Sequence, residues 1–131
     1  MKLVLTVCGL ALVLAACAPR REAPPPSALD AYKRIVALDI VSSTPGAYCQ
    51  PGEEMLKSVV ILELSVGADG ALLGASVVRA NGHPELAQVA LDSVKAAAPF
   101  APPDAGAGVQ VLETFLFRQD DCFLIRSLVN R

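Results

Sequence analysis

The sequence predicts an α+β domain: a small antiparallel sheet of three to four strands with two helices packed on one face. Three observations predict it. From Ser58 to Val66 apolar and polar residues alternate, the period of a half-buried strand. That run meets Gly67-Ala68-Asp69-Gly70, whose Asp-Gly pair tolerates positive φ and suits a hairpin. On either side of the hairpin, apolar residues recur at helical spacing. The element order is helix, strand, strand, helix, strand and a possible fourth strand, which stacks helices on one sheet face.

The first helix starts at Ser27-Ala28-Leu29-Asp30, with Ser27 as the cap and Asp30 in the first turn. Leu29, Tyr32, Val36 and Ile40 form its apolar face, and Thr44-Pro45-Gly46 ends it. Tyr48 to Lys57 is an irregular connection holding Cys49, Pro51 and Gly52. In the first strand Val60, Leu62, Leu64 and Val66 point one way; Val59, Ile61, Glu63 and Ser65 point the other. Ala71 to Arg79 returns as the second strand, broken by Ala80-Asn81-Gly82.

Pro84 opens the second helix at a position where its missing N–H costs nothing, and Glu85 suits the positive end of the helix dipole. Ala87, Ala90, Leu91, Val94 and Ala98 line its inner face. Pro99 stops it, Pro102 and Pro103 keep the next stretch irregular, and Ala105 to Gly108 forms a turn. Val109 to Phe117 is the third strand, with Val109, Val111, Glu113, Phe115 and Phe117 on one side. Gln119-Asp120-Asp121 reads as a hairpin turn, and Cys122 to Leu128 as the returning fourth strand.

Ahead of the domain, Lys2 is followed by an apolar run from Leu3 to Ala16 that ends Leu14-Ala15-Ala16-Cys17. The run is shorter than the roughly 20 apolar residues that span a bilayer. It fits a secretory core closed by small residues. The pattern resembles a bacterial lipoprotein signal. That resemblance implies a signal peptide over residues 1–16, cleavage before Cys17, acylation of Cys17, and an outer-membrane address in a Gram-negative envelope. Residues 17–27, rich in proline, then form a linker reaching roughly 30 Å at about 3.1 Å per residue. The domain proper is expected over residues 28–131.

The mature part is long enough for one small core. Formal net charge is -2 and no basic cluster occurs, which excludes nucleic acid as an expected partner. Tryptophan is absent, so no stacking platform is expected. Once Cys8 leaves with the leader and Cys17 is acylated, Cys49 and Cys122 remain. In an oxidising envelope two such thiols pair as a disulfide. The alternatives are a redox or metal site, for which the spacing gives no support, and two separately buried thiols.

From Ser58 to Phe117 the chain resembles the C-terminal domain of the TonB and TolA families. Four pieces carry the resemblance: the strand leading into Gly67-Ala68-Asp69-Gly70; the helix entry Ala80-Asn81-Gly82-His83-Pro84-Glu85-Leu86; Ala90-Leu91 with the exit Ala96-Ala97-Ala98-Pro99-Phe100-Ala101-Pro102-Pro103; and the phenylalanine-bearing strand to Phe117. The resemblance implies a periplasmic protein-interaction domain. Members add a short partner segment as a strand along the sheet, since an open edge presents unpaired N–H and C=O groups.

The chain also departs from the pattern. Ala87 stands where an acidic residue often follows the helix-entry leucine, no spanning helix is expected for coupling to an inner-membrane motor, and the expected linker is too short to cross the periplasm. A Cys49–Cys122 bond would tie the segment before the first strand to the tail, where it covers an edge. Energy transduction by the family's usual route is therefore not expected.

No cofactor, metal or catalytic constellation is expected, and no small-molecule substrate. His83, the one histidine, belongs to a helix entry, and Asp120-Asp121 to a turn. Glu63 and Glu113 are expected on solvent-facing positions, and Phe115, Phe117 and Phe123 in the core. The expected partner is an envelope protein, met as an extended segment along Val109, Val111, Glu113, Phe115 and Phe117, or along the tail Cys122–Leu128. A second expectation is a structural accessory subunit held by a lateral face. An enzyme or ligand carrier needs a pocket with convergent polar groups, which the sequence does not indicate.

Overall fold

In the computed structural model, residues 27–50, 52, 55–104 and 106–129 are described. The leader, Cys17, the linker up to residue 26, Pro51 and Ala105 lie outside them.

The elements follow the expected order. They are α1 (Ala28–Ser43), β1 (Leu56–Val66), β2 (Leu72–Ala80), α2 (Pro84–Ala97), β3 (Val109–Arg118), β4 (Phe123–Ile125) and α3 (Arg126–Val129). The four strands form one antiparallel sheet in the order β2-β1-β3-β4. Ser27 caps α1 by accepting from the Asp30 backbone N–H, and its hydroxyl also meets the Asp30 carboxylate at 2.9 Å. Pro84 begins α2, as expected, and His83 is its N-cap residue without a side-chain cap bond.

Strict alternation in β1 buries Val60, Leu62, Leu64 and Val66 under the helices. Val36, Ala37 and Ile40 of α1, Ala90 and Val94 of α2, and Phe115, Phe117, Phe123 and Ile125 complete the core. Each of the large members contributes about 1.5–3 kcal/mol by leaving water. The three phenylalanines interlock, with Phe123 edge-on to Phe115 and to Phe117 at 5.0 Å and 5.6 Å. Edge-on contact suits the ring quadrupoles.

Three expectations need correction. Leu29 is exposed; the buried face of α1 begins a turn later, at Tyr32, whose hydroxyl donates to Ala101 O at 2.7 Å. The tail is not a strand to Leu128. It pairs for three residues as β4 and then winds into α3, adding a third helical piece to the two expected. Glu113 is not solvent-facing. It shares the inward side of β3 with Val111 and Phe115 and is fully buried.

Candidate functional site

A sheet that recruits an extended segment needs main-chain groups without partners, so the rims decide what this domain can do. The tail rim is closed. Phe123 N–H donates to Ala47 O and Cys49 N–H to Phe123 O, both at 2.9 Å, so residues 47–49 run along the outer side of β4. The Cys49–Cys122 disulfide fixes that segment in place. The expected pairing of the two cysteines is therefore present, and it covers the rim that the tail Cys122–Leu128 was expected to offer.

The opposite rim is β2. Its outer side has no strand partner among the described residues, and Leu73 and Val78 are exposed there. Two register shifts interrupt its pairing with β1, between Ile61 and Leu62 and between Ser65 and Val66. Bulges twist an edge and disfavour a further strand.

β3 behaves differently. Its register with β1 is unbroken from Ser58–Phe117 to Val66–Val109, which keeps the strand straight. On its outer side β4 pairs only with Phe115, Leu116 and Phe117. Arg118 N–H points outward, to Cys122 O at 2.9 Å. Alternation along the strand then turns the main-chain groups of Gln110 and Leu112 outward too. Over residues 109–114 that side carries no strand partner among the described residues.

The expected edge residues divide accordingly. Val111, Glu113, Phe115 and Phe117 point their side chains into the core, and Val109 is half-buried. They supply no partner-facing side chains. What β3 offers outward is backbone, together with the exposed Leu112 and Gln110 side chains on the uncovered face. The other half of the expected edge, at Phe115 and Phe117, is taken by β4.

Glu113 marks the inner border of this strip. Its Oε2 accepts from the Ser127 hydroxyl at 3.1 Å, and its Oε1 has no partner among the described residues. Burial pushes its carboxyl up to about 7; the Ser127 hydrogen bond and Lys33 pull the other way. The sequence carried a signal for this placement, since the two-residue period puts Glu113 on the apolar side of its strand. The cysteine pair signalled that the segment around Cys49 lies against the tail; its strand-like hydrogen bonding to Phe123 had no signal of its own.

The remaining candidates are engaged in local contacts. His83 Nδ1 lies 3.0 Å from Glu85 Oε1 at the exposed entry of α2. Asp121 takes the left-handed turn position and pairs with Lys57 at 2.7 Å. A cavity of 460 Å³ beside the disulfide is open to solvent. The guanidinium of Arg118 on its wall is spent on Gln50 O at 2.8 Å and Gly52 O at 3.0 Å. Asp120 Oδ1 sits 3.0 Å from Cys122 Sγ, but both sulfurs there are consumed by the disulfide. Among the described residues no helix is long and apolar enough to cross a membrane.

The fold is a helix-backed antiparallel sheet in which β3 lacks a strand partner over part of its outer side among the described residues. The family model described as the C-terminal domain of the Gram-negative bacterial TonB protein matches residues 53–118, and the chain belongs to that family. The domain is thus of the TonB-like envelope type that interacts with other envelope proteins. No curated protein and no solved structure matches the chain. The family match stops at Arg118, so α1, β4, α3 and both cysteines lie outside it.

Proposed function

We propose that this chain is a lipid-anchored, non-catalytic protein of the Gram-negative envelope. Its TonB-like domain binds an extended segment of another envelope protein along β3. The supporting observation is the straight outer side of β3 over residues 109–114, which carries no strand partner among the described residues where β4 ends. An incoming strand there satisfies the outward groups of Gln110 and Leu112 and continues the line of β4. The acylated Cys17 holds the domain near the membrane that carries it.

Leu112→Pro tests the reading. The Leu112 N–H points away from β1, so proline removes an outward donor and spares the β1 ladder. A photoreactive side chain at Gln110, activated in intact cells, should crosslink a partner in the parent and lose most of that product in the proline variant. Equal crosslinking from a still-folded Leu112→Pro protein overturns strand addition.

One observation favours a second reading, an accessory subunit held by a lateral face. The sheet face away from the helices carries half-buried Val59, Ile61, Leu116 and Leu124 beside exposed Leu112. A fixed native mass of the detergent-extracted protein, larger than the monomer and unchanged by Leu112→Pro, supports this reading over the first.

A further inference from the structure

The free half of β3 is not left unattended. The chain leaves the ladder after Ile125 and winds into α3, which packs against α1, β3 and β4 beside the open strip. β4 and α3 are held very differently. Phe123 and Ile125 of β4 are fully buried in the core, so removing β4 opens the centre of the domain. α3 buries none of its residues. It is held by the Ser127 hydroxyl on Glu113 Oε2, by Arg34 Nη1 on Ser127 O at 3.4 Å, and by the half-buried Leu128. Segments with few buried contacts open first.

The pin itself is under load. With α3 closed, Glu113 is fully buried and its Oε1 has no partner among the described residues, and a buried charged oxygen left unpaired is unfavourable. Among the described residues the charged groups around it are few. Lys33 on α1 is the one that acts on its carboxyl, Arg34 on α1 is engaged by the Ser127 carbonyl, and Arg126 on α3 is exposed. β1 presents Leu62 opposite Glu113, with Glu63 turned to the other face, and β4 presents Phe123 and Ile125.

We propose that α3 is a removable latch on the β3 strip, pinned by the Ser127 hydroxyl on the Glu113 carboxylate, and that its opening admits the partner's extended segment. This rests on the strand-addition reading above. The closed latch favours the protonated carboxyl, which burial has pushed up to about 7. An opened, hydrated Glu113 returns toward 4.5, so a rise in pH favours opening.

The test uses the full chain with its disulfide intact. Amide hydrogen exchange over residues 126–129, corrected for intrinsic rates, should be about tenfold faster at pH 8 than at pH 6. Glu113→Gln should abolish that difference. Ser127→Ala should speed exchange about fivefold at pH 6 and raise the Gln110 crosslinking yield several-fold in cells. If Ser127→Ala and wild type exchange alike, no latch exists. If exchange rises but the yield stays constant, while Leu112→Pro still abolishes it, strand addition stands and the gate is refuted. If Leu112→Pro leaves the yield intact, the strand-addition reading fails first and takes the gate with it.

Discussion

Gly70 and Phe100 join the two halves of the domain. Phe100 N–H donates to Gly70 O at 2.8 Å, and a Cβ on Gly70 would overlap the Phe100 carbonyl oxygen. Gly70 also sits at φ +90, which L side chains rarely adopt. The β1–β2 turn and the exit from α2 are thereby fixed to each other at the end of the sheet where β3 begins.

Gly70→Ala should therefore be costly, by roughly 3 kcal/mol, because overlap and backbone strain add. Gly82 is the control. It has φ +71 but nothing within 4 Å of a Cβ, so Gly82→Ala should cost only about 1 kcal/mol of left-handed strain. Urea titration of the two purified variants checks the ranking; equal losses would show that the Phe100 contact is not the cause.

The disulfide links positions 73 residues apart, so it removes much freedom from the unfolded chain. In the loop-entropy model that is worth about 4 kcal/mol. Cys49→Ser with Cys122→Ser should lower stability on that scale. Exchange at the Cys49 and Phe123 amides should rise well above the loss seen at β1, since residues 47–49 then lie on β4 by two hydrogen bonds alone. Without reductant, neither cysteine of the parent protein should be alkylated.

Periodicity carried most of this fold. The alternation from Ser58 to Val66 and the Gly67–Gly70 turn placed the hairpin, and proline marked both ends of α2. Leu29 escaped because helical spacing states which residues share a stripe and not where the sheet beneath it begins. The tail escaped for a different reason. After Ile125 the chain leaves the ladder for α3, whose Ser127 meets Glu113 across 14 positions, a contact no local pattern encodes. The candidate strip was half legible. The span of β3 and the covering of a rim by a Cys49–Cys122 bond were legible; that β4 stops after three residues and leaves residues 109–114 without a strand partner was not.

Glu113 gives the domain a pH signature with a definite sign. Its folded carboxyl is raised by burial to about 7, above the ordinary 4.5. The folded state holds a proton that the unfolded state has released, so its stabilising contribution is complete below about pH 4.5 and is lost as pH rises through 7. The full swing is on the order of 3 kcal/mol. Glu113→Gln keeps a neutral group beside Ser127 and should flatten the profile, leaving the variant more stable than the parent at pH 8. Chemical denaturation at pH 5, 7 and 8 measures it, and a parent profile already flat over that span contradicts the buried-carboxyl account.

Cys17 decides whether the domain works on a tether. In the proposed lipid-anchored form, Ala15-Ala16 are the small residues ahead of the lipidated cysteine, and an extended proline-bearing stretch after it would reach roughly 30 Å. Several acyl chains on one cysteine, at about 0.8 kcal/mol per buried CH₂, hold a small domain on a bilayer. Cys17→Ser removes the acceptor sulfur and should shift the protein out of the membrane fraction. The Gln110 crosslink should fall with it, because a partner met at a membrane is no longer held near. Restoring the tether by another lipidated leader should restore the crosslink without any change in the domain. An unchanged membrane fraction for Cys17→Ser refutes the anchor. A crosslink that survives release refutes the need for one, and leaves recognition to the β3 strip alone.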